Sequence, residues 1–339
     1  MIISLFAWGS AEKNVQFVSP FPAIIHSMIL ITGGTGFVGR TLVRQLVNNG
    51  HAVRLLLRPS QRTPNVPLGV PVEVAVTSLN DESGLRAAMR GVDVIYHLAG
   101  GENQGARTNL ELIDINGTRT LAKAAASARI ERLFYLSHLD ADRASGFPVL
   151  KAKGIAEEHI RESGVKYTIL RSSILFGPDD GFTTGLSLLI NSSPGFLPLP
   201  GKGKTILQPL WIEDLVTCFL WALHDPDTIN KVLEVGGSEY ISLEKIVRTI
   251  MEVIKKRRLL VFWPNPYMRA LTVVAENVFP RFPSTVFWLD YLAVDRLCSV
   301  DSVPRLFGLM PARFSTKLDH LRGVNWNKKL LSRIFTRHG

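Results

Sequence analysis

The feature that most restricts this chain is the run Ile31-Thr32-Gly33-Gly34-Thr35-Gly36-Phe37-Val38-Gly39. It follows a short apolar segment, Met28–Thr32. It opens a helical pattern, Arg40–Asn49, in which Leu42, Leu46 and Val47 share one face before Asn49-Gly50 stops it. Glycines at such a strand-to-helix turn have separate physical uses. Gly33 permits the tight turn, Gly36 lets backbone approach a pyrophosphate, and Gly39 lets helix and strand pack closely. The helix start then offers unpaired N–H groups and a positive dipole end to an anion. A glycine-rich turn without a ligand is the alternative, and the strand before and helix after it favour the anion cradle.

The pattern repeats. Apolar runs at Val53–Leu57, Val72–Val76, Val92–Leu98, Leu133–Ser137 and Tyr167–Leu170 alternate with helical patterns at Leu85–Met89, about Leu110 to Ala128, and Ala152–Glu162. Apolar strands joined by helical crossovers indicate a parallel sheet covered on both faces, an α/β, doubly wound sheet of the Rossmann type. This core is expected over residues 28–180. A smaller, mostly helical C-terminal lobe is expected over 181–325, its strands and helices interleaved with the core, and a basic tail over 326–339. In the lobe, Pro194–Gly203 reads as a loop and Glu213–Leu223 and Leu243–Ile254 as helices.

The segment 1–27 is expected to stand apart as an extension. Its apolar stretch Ile2–Trp8 has no Lys or Arg before it, unlike a secretory signal, and Met28 falls where the first strand begins. No apolar run reaches the roughly 18–20 residues that a spanning helix needs. Cys218 and Cys298 lack metal-ligand spacing, lie in apolar stretches and read as small buried hydrophobes, which suits a reducing compartment. No metal site is expected. The placement read from this is cytoplasmic, peripheral at a membrane.

The residues after the second strand choose the dinucleotide. An NAD site places Asp or Glu about 20 residues beyond the glycines, on the ribose 2′-OH. Here no acidic residue occurs between Gly39 and Glu73, and Arg58 stands at the strand end with Ser60 and Arg62 after it. A guanidinium there can pair with a 2′-phosphate, so NADP(H) is expected over NAD(H), with Arg58 as its reader. The formal charge of +10 allows anionic partners. No DNA- or RNA-reading motif accompanies it, and direct nucleic-acid binding is not expected. The cations concentrate late. Lys255 to Arg258 open a stretch carrying Phe262, Trp263, Tyr267, Phe279, Phe282 and Phe287, and the tail from Trp326 holds four cations and no acid. Such a basic-aromatic half suits a headgroup interface or a protein-complex partner, while the same aromatics can fill a core.

These residues resemble the extended and atypical short-chain dehydrogenase/reductase superfamily, from about Met28 to Gly323. The resemblance rests on the glycine run and Tyr96-His97-Leu98-Ala99-Gly100. It extends to Asn116-Gly117-Thr118, Ser137, the segment Leu170–Pro178 with Ser172 in place of a proline, and Gln208–Asp214. Phe282-Pro283-Ser284-Thr285 and Leu292–Arg296 look closest to the atypical subgroup related to the nucleotide-binding accessory subunit of respiratory complex I and its bacterial relatives. The resemblance implies cofactor contacts at Gly33, Thr35, Gly36, Phe37, Val38, Gly39, Arg58, Leu98, Ala99, Gly100, Asn116, Lys153 and Ser173, with Ser137 and Lys153 in the catalytic positions.

Catalytic members of that superfamily carry Tyr and Lys four residues apart on one helix face, where the lysine and the ribose lower the phenol's pKa. Here Val149 stands where the tyrosine is expected, four residues before Lys153. Valine has no proton to give. Either His138 or Asp140 supplies the acid, with a solvated loop the plainer role for His138, or the fold keeps the dinucleotide and has lost the reaction, leaving Lys153 as a ribose donor. The second is favoured. The expected function is an NADP(H)-binding protein, structural or regulatory in a membrane-associated respiratory or quinone-related setting. An active NADPH-dependent reductase or epimerase on a small or lipid-like substrate is one alternative, and an NmrA-like redox-sensing regulator is another.

Overall fold

The computed structural model describes residues 27–60, 69–101, 109–278 and 286–335. Arg62, Phe279 and the stretch Phe282–Thr285, singled out above, lie outside the described residues, as do positions 1–26 and the last four of the tail.

The sheet is built from β1 (Met28–Thr32), β2 (Ala52–Leu57), β3 (Glu73–Val76), β4 (Val94–His97), β5 (Arg132–His138), β6 (Tyr167–Ser172) and a late strand, β11 (Lys231–Val235). Their order is β11-β6-β5-β4-β1-β2-β3, with every neighbouring pair parallel. The order reverses between β1 and β4, and in open α/β sheets ligands sit at the carboxyl ends of the strands beside that reversal.

Side-chain alternation explains the two apolar faces. Ile29, Ile31, Leu55, Tyr96 and Phe134 meet α1 (Phe37–Asn48) and α6 (Ile212–His224) through Leu42, Leu46, Leu215 and Phe219. Leu30, Leu56, Ile95, Leu133 and Tyr135 point the other way, to α2 (Glu82–Ala88), α3 (Gly117–Ser127) and α4 (Pro148–Glu162) through Leu85, Leu121, Ala125 and Ile160. Most charges on these helices stay outside, but Lys153 and Glu157 of α4 are buried.

The remaining elements are β7 (Leu175–Phe176) paired with β10 (Leu210–Trp211), β9 (Ile206–Leu207) with β12 (Ile241–Ser242), and β8 (Phe196–Pro200) with β13 (Leu259–Trp263). With them are α5 (Thr183–Ser192), α7 (Leu243–Val253), α8 (Asn265–Val278), α9 (Val286–Tyr291), α10 (Ser302–Phe307) and α11 (Trp326–Phe335). A third core cluster joins Phe176, Leu188, Leu199, Ile246, Ile250, Phe314 and Trp326.

Four local expectations change. Pro194–Gly203 is not all loop, because Phe196–Pro200 pairs in parallel with Leu259–Trp263. Pro198 and Pro200 are two apart and so face the same edge, and a strand with one neighbour needs no donors on its open side. Helix α1 starts at Phe37 rather than Arg40, capped by Gly36. Helix α4 starts at Pro148, whose fixed φ suits a first turn. The pattern from Leu110 is π-helical over Glu111–Asn116 before becoming α3, so faces read at an α-helical period drift there.

Candidate dinucleotide site

The turn after β1 is closed tightly. Gly33 has φ +72°, and a Cβ there would lie 2.7 Å from Ala99 N and Leu98 C, so the end of β4 sits directly against it. A Cβ on Gly39 would lie 2.2 Å from Gly33 O, which requires hydrogen at that helix position. The Gly36 N–H donates to Gly33 O at 3.0 Å, and Gly36 caps α1 with no side-chain hydrogen bond and no acid in the first turn. The first-turn N–H groups of α1 are therefore left to an incoming anion. A cradle that any Cβ would fill, beside a helix start with no side-chain cap, fits a pyrophosphate. Thr35, Phe37 and Val38 are half-buried around it.

The residues after β4 lie against this turn. The Leu98 N–H donates to Thr32 O at 3.1 Å and the Ala99 N–H to Thr32 Oγ1 at 3.3 Å, with Gly100 half-buried beyond them. Beneath lies His97, fully buried, its Nδ1 2.6 Å from Thr32 Oγ1 and its Nε2 2.8 Å from Thr118 Oγ1. Burial, then the nearby Lys153 charge, pushes its pKa down to about 3, so the imidazole is neutral. One nitrogen donates and the other accepts, and each threonine hydroxyl turns to match.

Lys153 is itself buried. Its Nζ lies 3.4 Å from Asp114 Oδ1 and 5.2 Å from the Tyr135 ring centroid. The other Asp114 oxygen accepts from the Gly101 N–H at 3.0 Å. Asp114, not Asn116, is thus the residue that the π-helical segment aims at the lysine. Asn116 is only half-buried, and its carbonyl accepts from Thr120 Oγ1 at 2.9 Å. Sequence reading missed Asp114 because a π turn moves the facing position relative to an α-helical count. A carboxylate in a long crossover helix, beside otherwise apolar positions, was the available signal.

Ser137 is buried and donates to Glu157 Oε1 at 2.7 Å. Glu157, four residues after Lys153 and fully buried, also accepts from Arg171 at 2.9 and 2.8 Å and from Arg161 at 2.5 Å. The Ser137 hydroxyl is therefore tied into an ion network that binds α4 to β5 and β6. Val149 is half-buried on the first turn of α4. Arg58 follows the end of β2 and is exposed. The neighbouring arginines have other work. Arg54 pairs with Glu73 at 2.7 Å and bonds the Ala88 and Arg90 carbonyls, and Arg40 donates to Thr35 O.

At the carboxyl end of β5 the structure adds residues from late in the chain. His138 is not a solvated loop residue. Its ring lies 5.9 Å from that of Phe287 and 6.0 Å from that of Tyr291. Tyr291 is buried, its Oη has no hydrogen-bond partner, and burial raises its pKa strongly. The Arg296 guanidinium lies 4.9 Å from the Phe147 ring centroid and 4.8 Å from that of Tyr291, and bonds the Tyr291, Val294 and Asp290 carbonyls. Asp140 Oδ2 lies 3.9 Å from its Nε. Ser173, expected at the cofactor, is buried with its hydroxyl unpartnered, while its N–H donates to Val235 O at 3.0 Å.

Comparison with known proteins agrees with this architecture. Residues 33–194 match the family described as NAD(P)H-binding. The chain is 28% identical over 307 residues to the mitochondrial NADH dehydrogenase [ubiquinone] 1 alpha subcomplex subunit 9 of Arabidopsis thaliana, covering 84% of this chain and 76% of that protein. It is 28% identical over 317 residues to the ceramide reductase of Caulobacter vibrioides, covering 90% and 97%. Among solved structures, the UDP-glucose 4-epimerase of Thermus thermophilus in complex with NAD superposes with a TM-score of 0.65 at 19% identity, over 88% of this chain and 99% of that one. Residues 33–194 thus resemble an NAD(P)H-binding domain, the fold is that of the NAD-bound epimerase, and the chain as a whole is similar to the complex I subunit 9 proteins.

Proposed function

We propose that this protein binds NADP(H) and has lost the usual tyrosine-dependent reaction of its superfamily, serving a structural or regulatory role at a membrane or on a respiratory or quinone-related assembly. The observation that carries this reading is the helix α4 pair. Val149 stands four residues before Lys153, where the resemblance leads one to expect the phenol, and offers no proton, while Lys153 is buried against the Asp114 carboxylate. The glycine turn with Gly33, Gly36 and Gly39 would hold the pyrophosphate, Leu98 to Gly100 the wall beside it, Lys153 and Ser173 the nicotinamide side, and Arg58 a 2′-phosphate. The similarity to complex I subunit 9 proteins supports a protein-complex setting, through the basic-aromatic C-terminal half. Titration with NADPH and NADH, on the wild type and on Arg58→Ala, tests the cofactor reading. NADPH should bind more tightly, and the variant should lose that preference. Equal wild-type affinities would refute the 2′-phosphate assignment.

A second reading, an active reductase on a lipid-like carbonyl substrate, is favoured by Tyr291. It places a buried, unpartnered phenol beside His138, and the ceramide reductase matches nearly end to end. The dinucleotide would supply hydride, and Tyr291 would hold the proton for the carbonyl oxygen. NADPH consumption with long-chain carbonyl lipids, abolished in Tyr291→Phe, would move the assignment to this reading.

A further inference from the structure

Helix α8 turns an apolar stripe toward solvent. Tyr267, Leu271 and Val274 are 69%, 49% and 58% exposed, and with Ala270 they occupy helical positions i, i+3, i+4 and i+7. The face turned inward carries Met268 and Thr272. A helix in a water-soluble surface normally has the opposite orientation. The strand that runs directly into α8 also exposes apolar residues. Leu259, Phe262 and Trp263 of β13 are exposed, and so is Phe196, which pairs with Leu259.

The charge around this surface is mainly positive, and the acids there, Glu244 and Asp290, are paired with Arg248 and Arg269. Lys255, Lys256, Arg257 and Arg258 lead into β13, and no Asp or Glu occurs between Glu252 and Glu276. At the other end, Lys202 and Lys204 flank the turn whose Gly201 N–H donates to Trp263 O at 2.7 Å. Lys202, Lys204, Lys255, Lys256 and Arg257 are exposed, while Arg258 is half-buried and bonds the Arg257 and Asn191 carbonyls. The one basic residue on α8, Arg269, is neutralised by Asp290 at 3.0 Å.

We propose that β13 and α8 form a docking face for an anionic lipid bilayer, with the α8 stripe and the exposed Trp263 at its start entering the headgroup–acyl boundary and the cations at Lys202, Lys204 and Lys255 to Arg257 on the lipid phosphates. Aromatic rings at the apolar margin and cations at the rim are the arrangement that an interface between hydrocarbon and anionic headgroups selects. An acidic protein would complement the cations but would leave the stripe's width without a hydrophobic counterpart. The inference rests on the peripheral role proposed above and names its surface.

The experiment is co-sedimentation of the full chain with vesicles of phosphatidylcholine alone and of an equal mixture with phosphatidylglycerol, at low and high salt. Wild type should sediment with the mixed vesicles, less so as salt rises, with Trp fluorescence shifted to shorter wavelength. Tyr267→Ser/Leu271→Ser/Val274→Ser should weaken this by more than about tenfold. Lys255→Glu/Lys256→Glu should weaken it by roughly fivefold or more for each position. Dinucleotide binding, measured on the same preparations, should be unchanged in both variants, which separates failure of this face from failure of the cofactor reading. Sedimentation unaffected by the stripe substitutions overturns the proposal. So does absence of sedimentation, and so does a self-association that the stripe variant dissolves, since a second copy would then be what covers the face.

Discussion

Replacing Asp114 by Asn tests whether Lys153 is held by charge. The substitution keeps shape and an acceptor for the Gly101 N–H but removes the carboxylate 3.4 Å from Nζ. Lys153 and Asp114 side chains are 4% and 1% exposed, so water cannot replace the lost partner. Removing one member of such a buried pair costs about 3–5 kcal/mol, much of it the desolvation of the charge left behind. At roughly 2 °C of melting temperature per kcal/mol for a chain of this size, the drop should be about 6–10 °C. Lys153→Met should lose a comparable amount. Asp114→Asn/Lys153→Met removes both charges and should be more stable than the sum of the single losses predicts, by at least about 1 kcal/mol. The assay is urea unfolding of all four proteins, followed by circular dichroism without dinucleotide. Additive losses would refute the pairing. A single-variant loss under about 1 kcal/mol would show that the lysine is adequately held by its other surroundings.

Three further outcomes follow from the same geometry. Gly39→Ala should abolish dinucleotide binding and lower stability by about 1–3 kcal/mol, because its Cβ falls 2.2 Å from Gly33 O and the backbone must shift to admit it; wild-type affinity by calorimetry would count against the cradle. The depressed pKa of His97 stabilises the fold above pH 6.5, and that contribution is lost as pH falls from 6.5 toward 3, because the unfolded chain takes up the proton first. His97→Asn should therefore show a shallower decline in stability between pH 6 and pH 4 than wild type, and parallel declines would refute it. Cys218 and Cys298 are buried, with thiol pKa values raised by desolvation, so the native protein should react with a disulfide reagent only as fast as it opens.

The core of the fold was legible from local pattern. Near-continuous apolar strands such as Ile29–Ile31 and Val53–Leu57 suit only a sheet covered on both faces, and the glycine run needs a strand before it and a helix after it. Parts of the site were equally local. The positive φ of Gly33 and the contact of Gly39 with Gly33 are short-range requirements, whereas the Leu98–Ala99 wall against Gly33 depends on the pairing of β1 with β4. The loop expected at Pro194–Gly203 shows the limit. Phe196–Pro200 becomes a strand only because Leu259–Trp263 arrives beside it from far along the chain.

The sequence by itself thus determined a doubly wound dinucleotide fold, because a periodicity of apolar residues and a glycine spacing are properties of adjacent positions. The tertiary structure alone decided which side chains share the site. The π-helical turn rotates Asp114 rather than Asn116 toward Lys153. Ser137 is drawn into the Glu157 network, and Tyr291 and Arg296 reach His138 and Phe147 from the far end of the chain. Among the described aromatics near Lys255, Phe262, Trp263 and Tyr267 are exposed while Phe287 packs against the third core cluster, a division set by which faces distant segments cover. Contacts between distant segments depend on how layers pack, and no local spacing encodes that.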